Sequence, residues 1–148
     1  MALRLTRAAD YAILAMMHVG SLPEGDFALK DAIGQAQNIP PSFLAKILRQ
    51  LVKSDLLRSA RGPNGGFGLQ RTAAKINLLD IVEALEGPIE LTDCAPDPDH
   101  CPRSHDCPAS AVWLEVQRQI TEVLRKTTLE ALLSAPRKNR RVVYNIGA

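Results

Sequence analysis

The 148 residues hold six aromatic side chains in all, one Trp, two Tyr and three Phe. That scarcity disfavours a single-strand nucleic-acid platform, in which successive bases stack on rings. No apolar run approaches the length needed to span a bilayer. The run Tyr11–Val19 is short, contains His18 and directly follows Asp10, so it reads as neither anchor nor signal peptide, and cytoplasm is the expected compartment. Internal repeats are absent, and no nucleophile-plus-base constellation stands out, so an enzyme is not expected. Cysteine is scarce too. Cys94, Cys101 and Cys107 are the whole complement, all inside one proline- and aspartate-rich stretch. An odd number of thiols within fourteen residues argues against a framework of paired disulfides.

What is present is consistent with a small soluble protein. With 46% hydrophobic and 23% charged residues the chain is near the globular average and has enough apolar material for a core. Its length suits one compact domain, or a small domain with an appendage. The formal net charge of +2 hides a segregation. Residues 1–75 carry ten Lys/Arg against five Asp/Glu, whereas residues 76–108 carry one basic residue, Arg103, against eight acids. Residues 109–135 balance at three and three, and 136–148 add four basic residues and no acid. A basic N-terminal half points toward a polyanion.

Thr6 is placed to cap a helix through about Val19, which ends at Gly20-Ser21-Leu22-Pro23. A second helix is expected over Ala28 to Gln37, with Leu29, Ile33 and Ala36 facing inward. Asn38-Ile39-Pro40 forces a turn, and Pro41 suits the first position of the next helix, to Ser54. There Leu44, Ile47, Leu48 and Leu51 form an apolar stripe, while Ser42, Lys46, Arg49 and Lys53 fall on the opposite side. Helix, short turn, helix with a basic outer face is the pattern of a helix-turn-helix. Leu56-Leu57-Arg58-Ser59 and the segment to Leu69 then form two short strands around a Gly/Pro/Asn tip, a β-hairpin whose glycines supply positive φ. A phosphate-binding glycine loop is the competing idea, and it fails because no Gly-Lys-Ser/Thr follows and no helix opens there. The expected fold is therefore mostly α with a small β-hairpin wing: a winged helix-turn-helix in residues 1–75. Its expected DNA-binding set is Ser42, Phe43, Lys46 and Arg49 on the helix with Arg58, Arg61, Gly62, Asn64 and Gly65 on the wing. Double-stranded DNA is the expected partner.

Asn77 can cap a further helix carrying Leu78, Ile81, Val82 and Leu85 on one face, with Asp80 in the reciprocal capping position and Gly87 just beyond the end. Residues 76–108 thus comprise a connecting helix and the Cys loop. From Ala109 to about Lys126 a long helix keeps Val112, Val116, Ile120 and Val123 in register, flanked by Trp113 and Leu124. Such a stripe in so small a chain needs a partner surface, so residues 109–135 are expected to dimerise two copies on a palindromic operator. Packing against its own domain is the alternative. The basic tail, 136–148, is expected to be disordered.

Three soft thiolates on one segment suit a metal centre completed by a fourth ligand from elsewhere. A zinc site favours paired C-x2–4-C spacing, whereas the intervals here are C-x6-C-x5-C. A zinc-dependent regulator and a cluster-free thiol switch, in which Cys101 and Cys107 join when oxidised, are the rival readings.

Leu5-Thr6-Arg7-Ala8-Ala9-Asp10-Tyr11-Ala12, the helix-turn-helix, the Arg61-Gly62-Pro63-Asn64-Gly65-Gly66-Phe67 wing, the three-Cys loop and the Thr128-Leu129 helix occur in that order. Over residues 3 to about 134 this resembles the IscR/NsrR-type iron–sulfur winged-helix transcriptional regulators. The resemblance implies a homodimeric DNA-binding repressor or activator whose operator affinity depends on an iron–sulfur cluster, 2Fe–2S or 4Fe–4S, sensing redox, nitric oxide or iron status. It implies Cys94, Cys101 and Cys107 as ligands. IscR-like members place a histidine three residues after the last Cys, where this chain has Ser110. NsrR-like members use an aspartate in the first helix of the other subunit, which matches Asp10. His105 stands next as fourth ligand, and His100 also lies in the loop. Ala45 replaces a residue that is acidic in IscR-like members.

Overall fold

A computed structural model of the chain describes residues 4–92, 99 and 101–136. Cys94, His100 and the tail beyond Pro136 lie outside the described residues. Helix α1, Arg7–Gly20, begins where the Thr6 hydroxyl accepts the Ala9 backbone N–H at 3.2 Å. It buries Ala9, Ala12, Ala15, Met16 and Val19, a stripe of small residues and one flexible filler that lets other helices come close. Helix α2, Lys30–Gln37, stops at Asn38, which takes the left-handed conformation that Asn tolerates, φ 52°. Helix α3, Pro41–Lys53, starts on Pro41 and buries the four-residue stripe Leu44, Ile47, Leu48 and Leu51.

Strands β1, Leu57–Ala60, and β2, Gly66–Leu69, pair antiparallel, with Leu57 opposite Leu69 and Ala60 opposite Gly66. A 3-10 turn at Ala73–Lys75 leads to α4, Leu78–Glu86. Its start carries a reciprocal cap. The Asn77 side chain accepts the Asp80 N–H at 2.9 Å, and the Asp80 carboxylate accepts the Asn77 N–H at 3.2 Å. Helix α5 spans Pro108–Lys126 and α6 spans Leu129–Ser134.

The second helix departs from the expected Ala28 start, and neither Leu29 nor Ala36 faces inward: Leu29 is 57% exposed and Ala36 is exposed. The reason is a strand-like contact. The Ala28 N–H donates to the Phe67 carbonyl at 2.9 Å, and the Ala28 carbonyl accepts the Phe67 N–H at 2.8 Å. An extended residue sends its side chain one way and its neighbour's the other. With Ala28 turned into the core, Leu29 turns out.

The core does not close at residue 75. Ile76 and Ile81 from the α4 region and Leu129 from α6 join Met16, Ile33, Leu48 and Leu51 in one buried cluster. Residues 109–135 are accordingly two helices with different roles. Helix α6 folds back on the C-terminal end of α1, where a methyl group on Gly20 would lie 3.1 Å from both Leu129 and Leu133.

Gly66 is where the wing meets Ala28 most closely. Its φ is +130°, and a Cβ there would lie 2.3 Å from the Ala28 carbonyl oxygen. Gly66→Ala should lower unfolding stability by about 2 kcal/mol or more, through backbone strain and loss of the Ala28–Phe67 pair. Urea denaturation of the two proteins measures it; equal midpoints would show that the wing is not held there.

Candidate nucleic-acid interface and thiol loop

The side chains opposite the α3 stripe are free of the core. Ser42, Lys46, Arg49 and Lys53 are all exposed, so the helix presents a hydroxyl near its first turn and cations along its length. Phe43, in that first turn, is 40% exposed and lies edge-on to Tyr11 of α1, ring centroids 5.5 Å apart at 73°. Ala45 is exposed on the other flank.

The wing tip is built on backbone chemistry. Gly62 has φ +104°, and its carbonyl accepts the Gly65 N–H at 3.0 Å, closing the turn. Arg61, Gly62 and Asn64 are exposed, whereas Gly65 is buried against Ala60 and serves the turn itself. Arg58 is placed differently from Arg61. Its guanidinium lies 4.9 Å from the centre of the Phe27 ring, a cation–π contact. It borders an open hollow of about 520 Å³ with Asp26, Gln70, Arg71 and Glu130.

Helix α5 has three faces. At about 100° per residue, Ser110, Gln117, Thr121 and Leu124 fall together. These four are buried or half-buried, as is Glu122 beside them, and Ser110 alone among the described residues of α5 is fully buried. Gln117 accepts the Leu91 N–H at 3.0 Å and so ties the helix to the segment after α4. A second face carries Val112, Trp113, Val116, Ile120 and Val123, all exposed in the single chain, Val112 by 60%. The third face is charged: Arg118 bonds Glu115 at 2.7 Å and Glu122 at 2.8 Å, and Lys126 pairs with Glu122. The Arg118 hydrogen bond, with Gln119, holds the Glu115 carboxyl down to about 2, and Lys126 lowers that of Glu122.

The thiol loop is described in part. Cys101 and Cys107 carry free thiols and are half-buried. Two successive turns lie between them: the Cys101 carbonyl accepts from Ser104 at 3.0 Å and the Arg103 carbonyl from Asp106 at 3.2 Å. Cys107 then stands at the N-cap position of α5, with no side-chain hydrogen bond to the helix. His105 is well exposed, its Nε2 3.8 Å from the Asp99 carboxylate. Asp10 is exposed near the start of α1, in a surface hollow with Arg4, Leu5, Arg7 and Tyr11. Among the described residues no three His, Cys, Asp or Glu side chains converge as a metal site, so Asp10, Cys101 and Cys107 do not meet within one chain. Each of these free thiols is nevertheless a donor of the right chemistry for iron.

Residues 5–135 match the Rrf2 family, described as iron-dependent transcriptional regulators. The chain belongs to the Rrf2 family. It is 32% identical over 142 residues to the transcriptional regulator IscR of Xenorhabdus nematophila, an alignment covering 95% of this chain and 83% of that one. Among solved structures it is similar to CymR, the global cysteine regulator of B. subtilis, at 25% identity and a TM-score of 0.73, covering 90% of this chain and 98% of the other. IscR of T. potens gives 26% identity and a TM-score of 0.72, covering 90% and 88%. The winged-helix architecture expected from the sequence is that of these Rrf2 regulators, and the chain is a DNA-binding transcriptional regulator, not an enzyme. No helix among the described residues is long and apolar enough to cross a membrane.

Proposed function

We propose that this Rrf2 protein works as a homodimer on a palindromic operator and that its affinity for the operator is switched by an iron–sulfur cluster held by Cys94, Cys101 and Cys107. The observation that carries this reading is the position of the described thiols. Cys101 and Cys107 are free, half-buried, and placed between α4, which belongs to the DNA-binding core, and α5, which carries the unpaired apolar face. Asp10 of the second subunit is the fourth ligand on this reading, following the resemblance to NsrR-like members, and its own chain leaves it exposed. His105 is the alternative, being exposed within the loop. When bound, the cluster supplies reactivity toward nitric oxide or oxygen at the iron with the weakest ligand. The chain's residues do the rest: the thiolates fix the loop, Ser42, Phe43, Lys46 and Arg49 enter the major groove, and Arg61, Gly62 and Asn64 reach the minor groove or phosphates from the wing. Arg58 and Gly65 act from behind, Arg58 on Phe27 and Gly65 inside the turn.

A second reading has support of its own. Cys101 and Cys107 stand on consecutive turns with free thiols, so a disulfide between them is a switch that needs no metal. The two readings differ in iron content.

Lys46→Ala should weaken operator binding across all sequences and flatten its salt dependence by about one unit of slope. Adding Arg61→Ala should weaken it further. Anisotropy titrations at several salt concentrations check this, and an unchanged affinity in the double variant removes the assignment. On α5, a carboxylate at Ile120 places an unpaired ion at the centre of the Val112–Val123 face, a cost on the order of several kcal/mol if that face is covered. Ile120→Glu should therefore give monomer or aggregate by light scattering; a monomeric wild type at micromolar concentration would refute the dimer. Protein purified without oxygen should be coloured and contain iron and sulfide. The triple Cys→Ala protein should lose both yet remain dimeric, and Asp10→Ala should keep a weaker, more labile cluster. Operator affinity that is the same with and without iron and sulfide would end the switch proposal, and a metal-free dithiol/disulfide pair responding to oxidant would favour the second reading.

A further inference from the structure

The first turn of α3 is poor in hydrogen-bonding side chains. Pro41, Ser42 and Phe43 open the helix, Leu44 is buried, and Ala45 follows. The N-terminal residues of a recognition helix are the ones that meet base edges. Here Ser42 alone offers a polar group, and a hydroxyl accepts or donates to several bases without separating them well. Lys46 and Arg49 lie about 4.5 and 9 Å farther along the axis than Phe43.

Phe43 has the chemistry for the remaining information. The major groove exposes one apolar feature, the C5-methyl group of thymine, and Phe is among the side chains that contact it. The ring is 40% exposed, yet it does not swing freely. Tyr11 meets it edge to face at 5.5 Å, the favoured arrangement of an aromatic pair. Tyr11 is itself half-buried against the α1 core, so the ring that points outward is braced from behind.

We propose that Phe43 reads a thymine methyl group in each half-site, with Tyr11 as its positioning residue. The inference rests on the DNA-binding reading above and gives it a base-level content. Ring packing against sugar and phosphate is the competing role, and it would strengthen binding without favouring any base.

The test removes the methyl group alone. Duplexes are selected from a random pool by the wild-type protein, and each thymine at an enriched position is replaced singly by deoxyuridine. One thymine per half-site should lose about fourfold in affinity, the value of one buried methyl. In Phe43→Ala that position should become insensitive to the replacement, while sensitivity elsewhere persists. Tyr11→Leu should reduce the same discrimination with no change in the salt slope, and Tyr11→Phe should retain it. The scan with wild-type protein needs no variant to fold, so it stands alone. If the selected duplexes bind tightly and every deoxyuridine is neutral, the methyl reading is overturned. It is also overturned if the loss persists undiminished in a folded Phe43→Ala protein. If no sequence is enriched at all, the sequence-specific DNA-binding reading fails and takes this one with it.

Discussion

One short backbone bridge holds the two ends of this molecule together. The Leu78 N–H donates to the Thr127 carbonyl and the Leu129 N–H to the Ile76 carbonyl, each at 2.8 Å, across the Asn77–Thr128 pair. Amide groups brought out of water need such partners. Here they are found between the link joining α5 to α6 and the segment that opens α4. The bridge sets where Leu129 enters the core and where α5 departs from it. It acts with the packing of Leu129 and Leu133 on α1 and with the Gln117–Leu91 hydrogen bond, which hold α6 and α5 in turn. The capping pair Asn77–Asp80 reinforces the same point, since it fixes the backbone on which the bridge is built.

A second bridge, Ala28 with Phe67, does for the wing what the first does for α5. A two-stranded hairpin is marginal by itself in water. Adding Ala28 as a third strand position ties it to the connection between α1 and α2. The close approach needs a residue with no Cβ at Gly66, and the sequence supplies it. Helix α3 and the wing therefore move with one core, which in the proposed DNA-binding mode would let a few cations on each act on one stretch of duplex.

Much of this was legible in the sequence, for identifiable reasons. The α3 stripe has a clean helical period and a proline at its first position, and Asn77 with Asp80 states a helix start. Such signals are local, and they agreed with the packing. What was illegible was non-local. Nothing near Leu29 announces that Ala28 will pair with Phe67, and that pairing turns Leu29 outward. Leu129, Leu132 and Leu133 carry the same apolar character as the α5 residues before them, and only the break at Thr127–Thr128 hints that they serve a different surface. Arg58 and Arg61 look alike as wing-base cations, yet strand alternation and the Phe27 ring send Arg58 toward the hollow beside α1. The cysteine spacing marks the thiols as candidate donors, whereas no fourth donor can be read from it, because Asp10 and the thiols share no local segment.

The placement of the thiol loop has a mechanical consequence that depends on hydrogen bonds at its borders. On the α4 side, the Glu86 carboxylate accepts the Thr6 N–H at 2.8 Å, next to the start of α1. On the α5 side, Leu91 is held by Gln117, and Cys107 is the residue from which α5 begins. A change in the order of the loop thus has two short routes outward, one to the N-terminal turn that carries Asp10 and Tyr11, the other to the helix that carries the exposed apolar face. Neither needs a long chain of small displacements. Packed elements respond to such a change by shifting between discrete arrangements, because close-packed interiors deform poorly. A segment poor in apolar residues gains little from burial by itself, so in the proposed switch a ligand held by the thiols would set its order. In the proposed switch, the ligands of the loop would make the energetic decision, and the spacing of the two α3 helices would be its mechanical expression.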